Sequence, residues 1–282
     1  MRFVLHSQFG SFAKETLPYL EKNEALNNLM LGIILRLQQA ASLYPDAAAI
    51  TVQDDAGLVL AALMTPPEKL IVFSPQEVET GPLEYLIQGI MDHKINIPGV
   101  IGPAELATRF ADLWAQQTGC QVKLDMHMRV YELRAVNHEV IGEGKLRIAE
   151  EKDLEFIIAA VAQFQRDAGF DEPDLEACAN MAKRLVANRA LYLWEHNNAI
   201  VSMAAANRKT LSGIVVNLVY TPKELRCRGY ATSCVAALSQ HLLDSGYQFC
   251  ALFTDLANPT SNSIYQKIGY KPIGDYDSYK FA

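Results

Sequence analysis

The chain has 282 residues, half of them apolar, and a formal net charge of −7 with a pI near 5.4. That much apolar material supports two cores of ordinary size. The acidic balance argues against a duplex nucleic-acid binder, which would carry a basic footprint, and remains compatible with a small amine substrate.

Cys120, Cys178, Cys227, Cys234 and Cys250 are odd in number and contain no Cys-x-x-Cys pair, so neither a disulfide framework nor a zinc site is expected. The six histidines are scattered, with no His-x-x-x-His pair. Met1 to Ser7 lacks the apolar core of a signal peptide. The most apolar helical stretch, Leu29 to Leu37, contains Gly32 and Arg36 and is shorter than the roughly 20 residues that cross a bilayer. A cytoplasmic protein without membrane contact is expected.

In chain order, Phe3 to Leu5 reads as a strand and Phe12 to Ala41 as helix interrupted near Pro18. Ala48–Val52 and Leu58–Met64 flank a polar turn and predict a β-hairpin. Leu70–Phe73 is the next strand, Leu83–Asp92 a helix, then a helix from Gly102 to about Gln117 and an alternating strand from Gln121 to Leu133. Glu139 to Gly144, charged and carrying two glycines, is the expected domain junction. Beyond it come a strand at Leu146–Ala149, helices over Asp153–Ala168 and Asp174–Asn188, and hairpin strands Ala190–Trp194 and Ile200–Ala206. A β-rich run to Tyr220 follows, then a helix with its apolar stripe at Ala231, Val235, Leu238 and Leu242, and a strand over Tyr247–Leu252. The alternating Tyr276–Phe281 is expected to close the second sheet.

The order repeats. The hairpin at Ile50–Leu63 matches that at Leu191–Ala204 in pattern, and Gly102 and Gly119 bracket a helix at the same separation as Gly229 and Gly246. A tandem duplication is therefore predicted. The first copy's loop, Gly99-Val-Ile-Gly-Pro-Ala104, lacks arginine, and Pro103 removes an amide, so this copy is expected not to hold a nucleotide.

The chemistry concentrates in the second copy. Arg226-Cys-Arg-Gly-Tyr-Ala231 opens a helix directly after a buried strand. Helix starts carry unpaired amides and positive partial charge, Arg226 and Arg228 add full charges, and Gly229 admits close approach, so the loop suits phosphate oxygens. Alone, the pattern also fits an ordinary solvated turn. Downstream, Asn258 precedes Pro259, and Tyr265 follows seven residues after Asn258 on a short helix that ends at Gly269.

Together these two motifs resemble the GNAT superfamily of acetyl-CoA-dependent N-acetyltransferases over about Lys145 to Ala282. The resemblance implies an α/β (α+β) protein of two tandem GNAT-like domains, each a mixed, mostly antiparallel sheet flanked by helices. Their expected bounds are 1–138 and 145–282, with a linker at 139–144. It further implies acetyl-CoA as the acyl donor, with the main chain of Leu218, Val219 and Tyr220 pairing with the pantetheine arm. Arg226, Cys227, Arg228, Gly229, Tyr230 and Ala231 would cradle the diphosphate, with Asn258 and Tyr265 also in contact. Tyr265 would protonate the departing sulfur.

No Asp or Glu lies between Gly213 and Tyr220, where the family often keeps a base. Asp255 is the candidate, with Glu195 and His196 as substitutes by type. Phe164, Phe170 and Met181 are candidate walls of the acceptor pocket. The acceptor is expected to be a small-molecule amine in preference to a protein, and neither monomer nor homodimer is specified. A non-catalytic acyl-CoA-binding protein is the competing reading.

Overall fold

A computed structural model describes residues 1–282 apart from 41, 43, 78, 168, 170 and 171. Phe170 and the expected helix ends at Ala41 and Ala168 fall outside the described residues. The chain packs as two compact units. Unit 1 comprises Met1–Val130, Thr254–Asn258 and Ile273–Ala282; unit 2 comprises Tyr131–Phe253 and Pro259–Pro272.

Unit 1 runs β1 (Arg2–Leu5), α1 (Phe9–Leu20), α2 (Asn28–Ala40), β2 (Ala48–Asp54), β3 (Gly57–Met64), β4 (Leu70–Phe73), α3 (Thr80–Asp92), β5 (Gly99–Pro103), α4 (Ala104–Thr118) and β6 (Val122–Leu133). Helix α1 continues past Pro18, and the break comes after Leu20 as a 3-10 turn, Glu21–Asn23. The β2–β3 hairpin forms where expected. Its turn is closed by the Asp54 carboxylate, which accepts from the amides of Ala56 and Gly57 at 2.8 and 3.1 Å. Alternation along the strands supplies two cores. Ala49, Ala61, Leu63 and Ile71 meet Phe12, Leu31 and Ile34 on one face, while Ile50, Leu60, Val72 and Val100 meet Leu86, Ile90 and Phe110 on the other.

Unit 2 repeats the order with β7 (Lys145–Ile148), α5 (Leu154–Asp167), α6 (Leu175–Ala187), β8 (Leu191–His196), β9 (Ala199–Lys209), β10 (Gly213–Tyr220), α7 (Tyr230–Asp244), β11 (Phe249–Asp255) and α8 (Pro259–Ile268). In each unit the strands up to the fourth pair antiparallel, and the fourth pairs parallel with the fifth. Helices α5 and α6 cover one face through Ile157, Val161, Cys178 and Leu185, and α7 covers the other through Val235, Leu238 and Leu242.

Three expectations need correcting. The passage between units falls between Val130 and Tyr131, inside β6, because Tyr131 and Leu133 are buried in the core that holds α7 and α8. Of the expected linker at 139–144, residues 139 and 140 close the 3-10 turn His138–Val140. Farther along, the amide of Gly142 donates to Ser233 Oγ at 2.9 Å, all within unit 2.

The last strand, β12 (Lys271–Phe281), does not close the second sheet: Tyr276–Lys280 pair antiparallel with Pro103–Gly99 of β5 in unit 1. There the Asp277 carboxylate accepts from Thr108 Oγ1 at 3.2 Å, and the Tyr279 hydroxyl shares a 2.8 Å hydrogen bond with that same Oγ1.

Finally, the equal spacing of the glycine pairs matches the wrong helices. By element order α7 corresponds to α3, and α4, which Gly102 and Gly119 bracket, corresponds to α8. The unit 1 counterpart of the Gly229 loop is thus 74–79.

Candidate functional site

The site is built on β10. Its parallel ladder with β11 runs over Gly213↔Phe249, Ile214↔Cys250 and Val215↔Ala251 and stops there, while β10 continues to Tyr220. On the β9 side the register shifts between Asn217 and Tyr220, where Leu218 takes a left-handed φ of 48°. A leucine held there costs about 1–2 kcal/mol, a strain that tends to persist at functional positions. Beyond Val215, therefore, Leu218, Val219 and Tyr220 present main-chain groups outside the β11 ladder. Ser202 Oγ, donating to the Tyr220 carbonyl at 3.1 Å, steadies the end of the strand. Sequence reasoning passed over Asn217. Its Nδ2 donates to Asn207 Oδ1 at 2.8 Å, while its own buried Oδ1 has no partner among the described residues.

From Pro222 the chain makes a 3-10 turn, Lys223–Leu225, and reaches α7 through two left-handed residues, Cys227 at φ 62° and Gly229 at φ 80°. Gly229 is the N-cap residue, no side chain caps the helix, and a Cβ placed at Gly229 would project into open space. The first amides of α7 are thus left for an outside acceptor. Cys227, Arg228 and Gly229 are exposed, while Tyr230 and Ala231 are half-buried, Tyr230 with its ring 5.3 Å from His196.

The two arginines differ. Arg226 is turned back: its Nε donates to the Thr221 carbonyl at 3.0 Å, and its guanidinium meets Asp167 at 2.5 Å, 5.7 Å from the Tyr220 ring centre. Arg228 reaches only the Glu224 carbonyl, at 3.4 Å. Asp167, at the end of α5, also takes Lys223 at 3.1 Å and Gln163 at 2.9 Å. Burial pushes its carboxyl up, but the hydrogen bonds from Arg226, Gln163 and Lys223 outweigh that and hold it at about 2. No local signal in the sequence marked Asp167.

On α8, Tyr265 is 7 % exposed and packs between Tyr131 and Tyr270, at ring separations of 6.3 and 6.0 Å. The flanking hydroxyls are committed. Tyr131 donates to Asn262 Oδ1 at 3.0 Å and accepts from Gln266 Nε2 at 3.3 Å, and Tyr270 pairs with Ser239 Oγ at 2.8 Å. No hydrogen bond of the Tyr265 phenol is found among the described residues, and its oxygen is not one of their enclosed, unpartnered polar atoms. Burial raises the phenol to about 12, so it stays a neutral donor throughout the physiological range.

Asp255 and Asn258 share one turn in the Thr254–Asn258 segment, which belongs to unit 1. Asp255 Oδ1 accepts from the Ala257 amide at 2.8 Å, and the Asn258 amide donates to the Asp255 carbonyl at 3.1 Å. The substitute bases are occupied. Glu195 is held by Arg147 at 2.6 Å and Lys145 at 3.0 Å, and the Arg147 hydrogen bond above all keeps its carboxyl below the usual range. His196 meets the Glu143 carbonyl and Asn197, each at 3.0 Å.

Beside the end of β10 lies a groove of about 480 Å³, whose lining includes Phe156, Gln163, Arg166, Leu175, Tyr220 and Glu224. Phe164 and Met181 pack against the α5–α6 core, as such residues on these helices more often do, and Phe156 lines the groove.

Residues 196–279 match the family described as FR47-like protein. No curated protein matches the sequence. Among solved structures, an acetyltransferase of the GNAT family from Colwellia psychrerythraea is 13 % identical, with all of each chain covered and a TM-score of 0.58. A Drosophila protein is 11 % identical over 99 % of this chain and 98 % of its own, with a TM-score of 0.63. A GCN5-related N-acetyltransferase from Sphaerobacter thermophilus is 17 % identical over 83 % and 80 %, with a TM-score of 0.59. The chain is thus a tandem protein of the GNAT fold, and the FR47-like match falls on the half that carries the Gly229 loop and Tyr265.

Proposed function

We propose that unit 2 transfers an acetyl group from acetyl-CoA to a primary amine, directly and within a ternary complex. The observation that carries this reading is the parting of β10 from β11 after Val215, with the bulge at Leu218. A linear pantetheine arm with two amides can add to such an edge as a strand would. The residues also suit the far end of the donor. The amides that open α7 and the Arg228 guanidinium would take the diphosphate, and the left-handed Gly229 lets it approach the backbone.

Bound acetyl-CoA supplies a thioester: the amine's lone pair forms the C–N bond, the C–S bond breaks, sulfur leaves as thiol after gaining a proton, and nitrogen sheds one to solvent. The neutral Tyr265 phenol is the donor for that sulfur. Arg226 serves the loop indirectly, tying its start to Asp167, and Tyr220 borders the acceptor groove. Asp255 is not needed as a base where an amine arrives deprotonated from water. The test is calorimetry with coenzyme A and acetyl-CoA on the whole chain, followed by thiol release with a panel of amines. Binding of either at micromolar concentration with amine-dependent thiol release is expected. Tight binding without release would establish the non-catalytic alternative instead.

A further inference from the structure

We infer that the groove beside α5 selects an acceptor bearing a carboxylate as well as an amine, the pairing presented by a free α-amino acid with an apolar side chain; this rests on the reading of unit 2 as an acetyltransferase. Two charged side chains line the groove, Arg166 and Glu224, and they are of opposite sign. Beside them the single Asp167 carboxylate is shared by Arg226 and Lys223. Neither the Arg166 guanidinium nor the Glu224 carboxylate has an ion-pair or hydrogen-bond partner among the described residues. Asp167 is thereby spent on Arg226 and Lys223, and Arg166 and Glu224 are the charged residues of the groove's own lining.

Apart from Gln163 the rest of the lining is largely apolar: Phe156, Leu175 and Tyr220 supply the bulk, and Ala159, Ala160 and Ala162 leave space. Leu175 is 60 % exposed, an apolar side chain held in water at the groove's lip. A guanidinium takes a carboxylate in bidentate fashion, and Glu224 takes the ammonium. A peptide N-terminus or a lysine side chain offers the amine without a carboxylate beside it, so this groove favours a free amino acid over a protein.

The experiment compares leucine, leucinamide and 3-methylbutylamine as acceptors at saturating acetyl-CoA, with the full chain. Leucine should exceed leucinamide in kcat/KM by about tenfold or more, and Arg166→Gln should collapse that ratio to about unity. Glu224→Gln should lower kcat/KM for all three. Both side chains are exposed, so the variants should melt with the parent, and acetyl-CoA affinity should be unchanged. Equal use of leucine and leucinamide by the parent, or a ratio untouched by Arg166→Gln, overturns the inference while leaving the acetyltransferase reading intact. Absence of heat with any CoA thioester overturns that reading, and this inference with it.

Discussion

The approaches to α3 and α7 occupy the same place in the two units and are built for opposite charges. Strand β10 has eight residues and bulges at a left-handed Leu218, and its loop presents Arg228 and Gly229 ahead of uncapped amides. Strand β4 has four residues, all buried, pairs with β3 in unbroken register, and the segment that follows carries Glu77 and Glu79 with no basic residue. Both helices start without a side-chain cap, but at α3 the N-cap residue is Glu79, whose negative charge complements the dipole and would repel a phosphate. The fold is shared, and the proposed donor site rests on a strand length, one bulge and a few side chains.

The largest expected effect falls on Tyr265. Tyr265→Phe keeps the ring between Tyr131 and Tyr270 and removes only the hydroxyl. We expect kcat to fall about a hundredfold, within the range a positioned general acid contributes, with acetyl-CoA affinity within about twofold by calorimetry. Since burial places the phenol at about 12, the parent should show no loss of turnover from its ionisation up to about pH 10. A variant as fast as the parent would remove Tyr265 from the mechanism.

Gly229→Val comes next. At φ 80° a β-branched residue is strained, and its side chain would occupy the open space through which a diphosphate approaches. Coenzyme A affinity should drop about tenfold or more, alongside a loss of stability of about 1–2 kcal/mol. Unchanged affinity would mean that the loop's glycine serves only the turn.

The elements that carry these residues were legible early because their signals are local. The hairpins follow from period-two runs around a polar turn, and α8 from Asn258, Pro259 and Gly269. What stayed hidden depends on distant partners. The alternation of Tyr276–Phe281 says strand but not which neighbour it pairs with, and only the structure sets it against β5. The tie from Arg226 to Asp167 stayed hidden because nothing nearby announces a partner 59 residues upstream. The equal spacing of two glycine pairs misled because a helix length recurs more readily than a topology.

A smaller effect tests that Arg226 contact. Asp167→Asn removes an ion pair whose Arg226 and Lys223 side chains are 41 % and 61 % exposed, so the loss should stay below about 1 kcal/mol. The sign follows from a carboxyl depressed to about 2 in the folded state: its contribution is present above the ordinary carboxylate range near 4 and fades as pH falls toward 2. Melting curves of parent and variant should converge there. A gap that persisted at pH 2 would assign the effect to packing.

The smallest effect probes the comparison from the side of unit 1. Glu77→Arg with Glu79→Gly places a cation and a glycine ahead of α3 and removes both carboxylates, yet calorimetry should still count one coenzyme A per chain. The charge would then be right and the strand still wrong. Strand β4 ends at Phe73, its ladder with β5 covers Leu70 and Ile71, and it lacks the bulge that frees main chain beside β10. A phosphate drawn to α3 would have no edge along which to lay the pantetheine arm. A second equivalent of coenzyme A would show that charge alone separates the two units, and that the parting of β10 from β11 is not what makes a donor site.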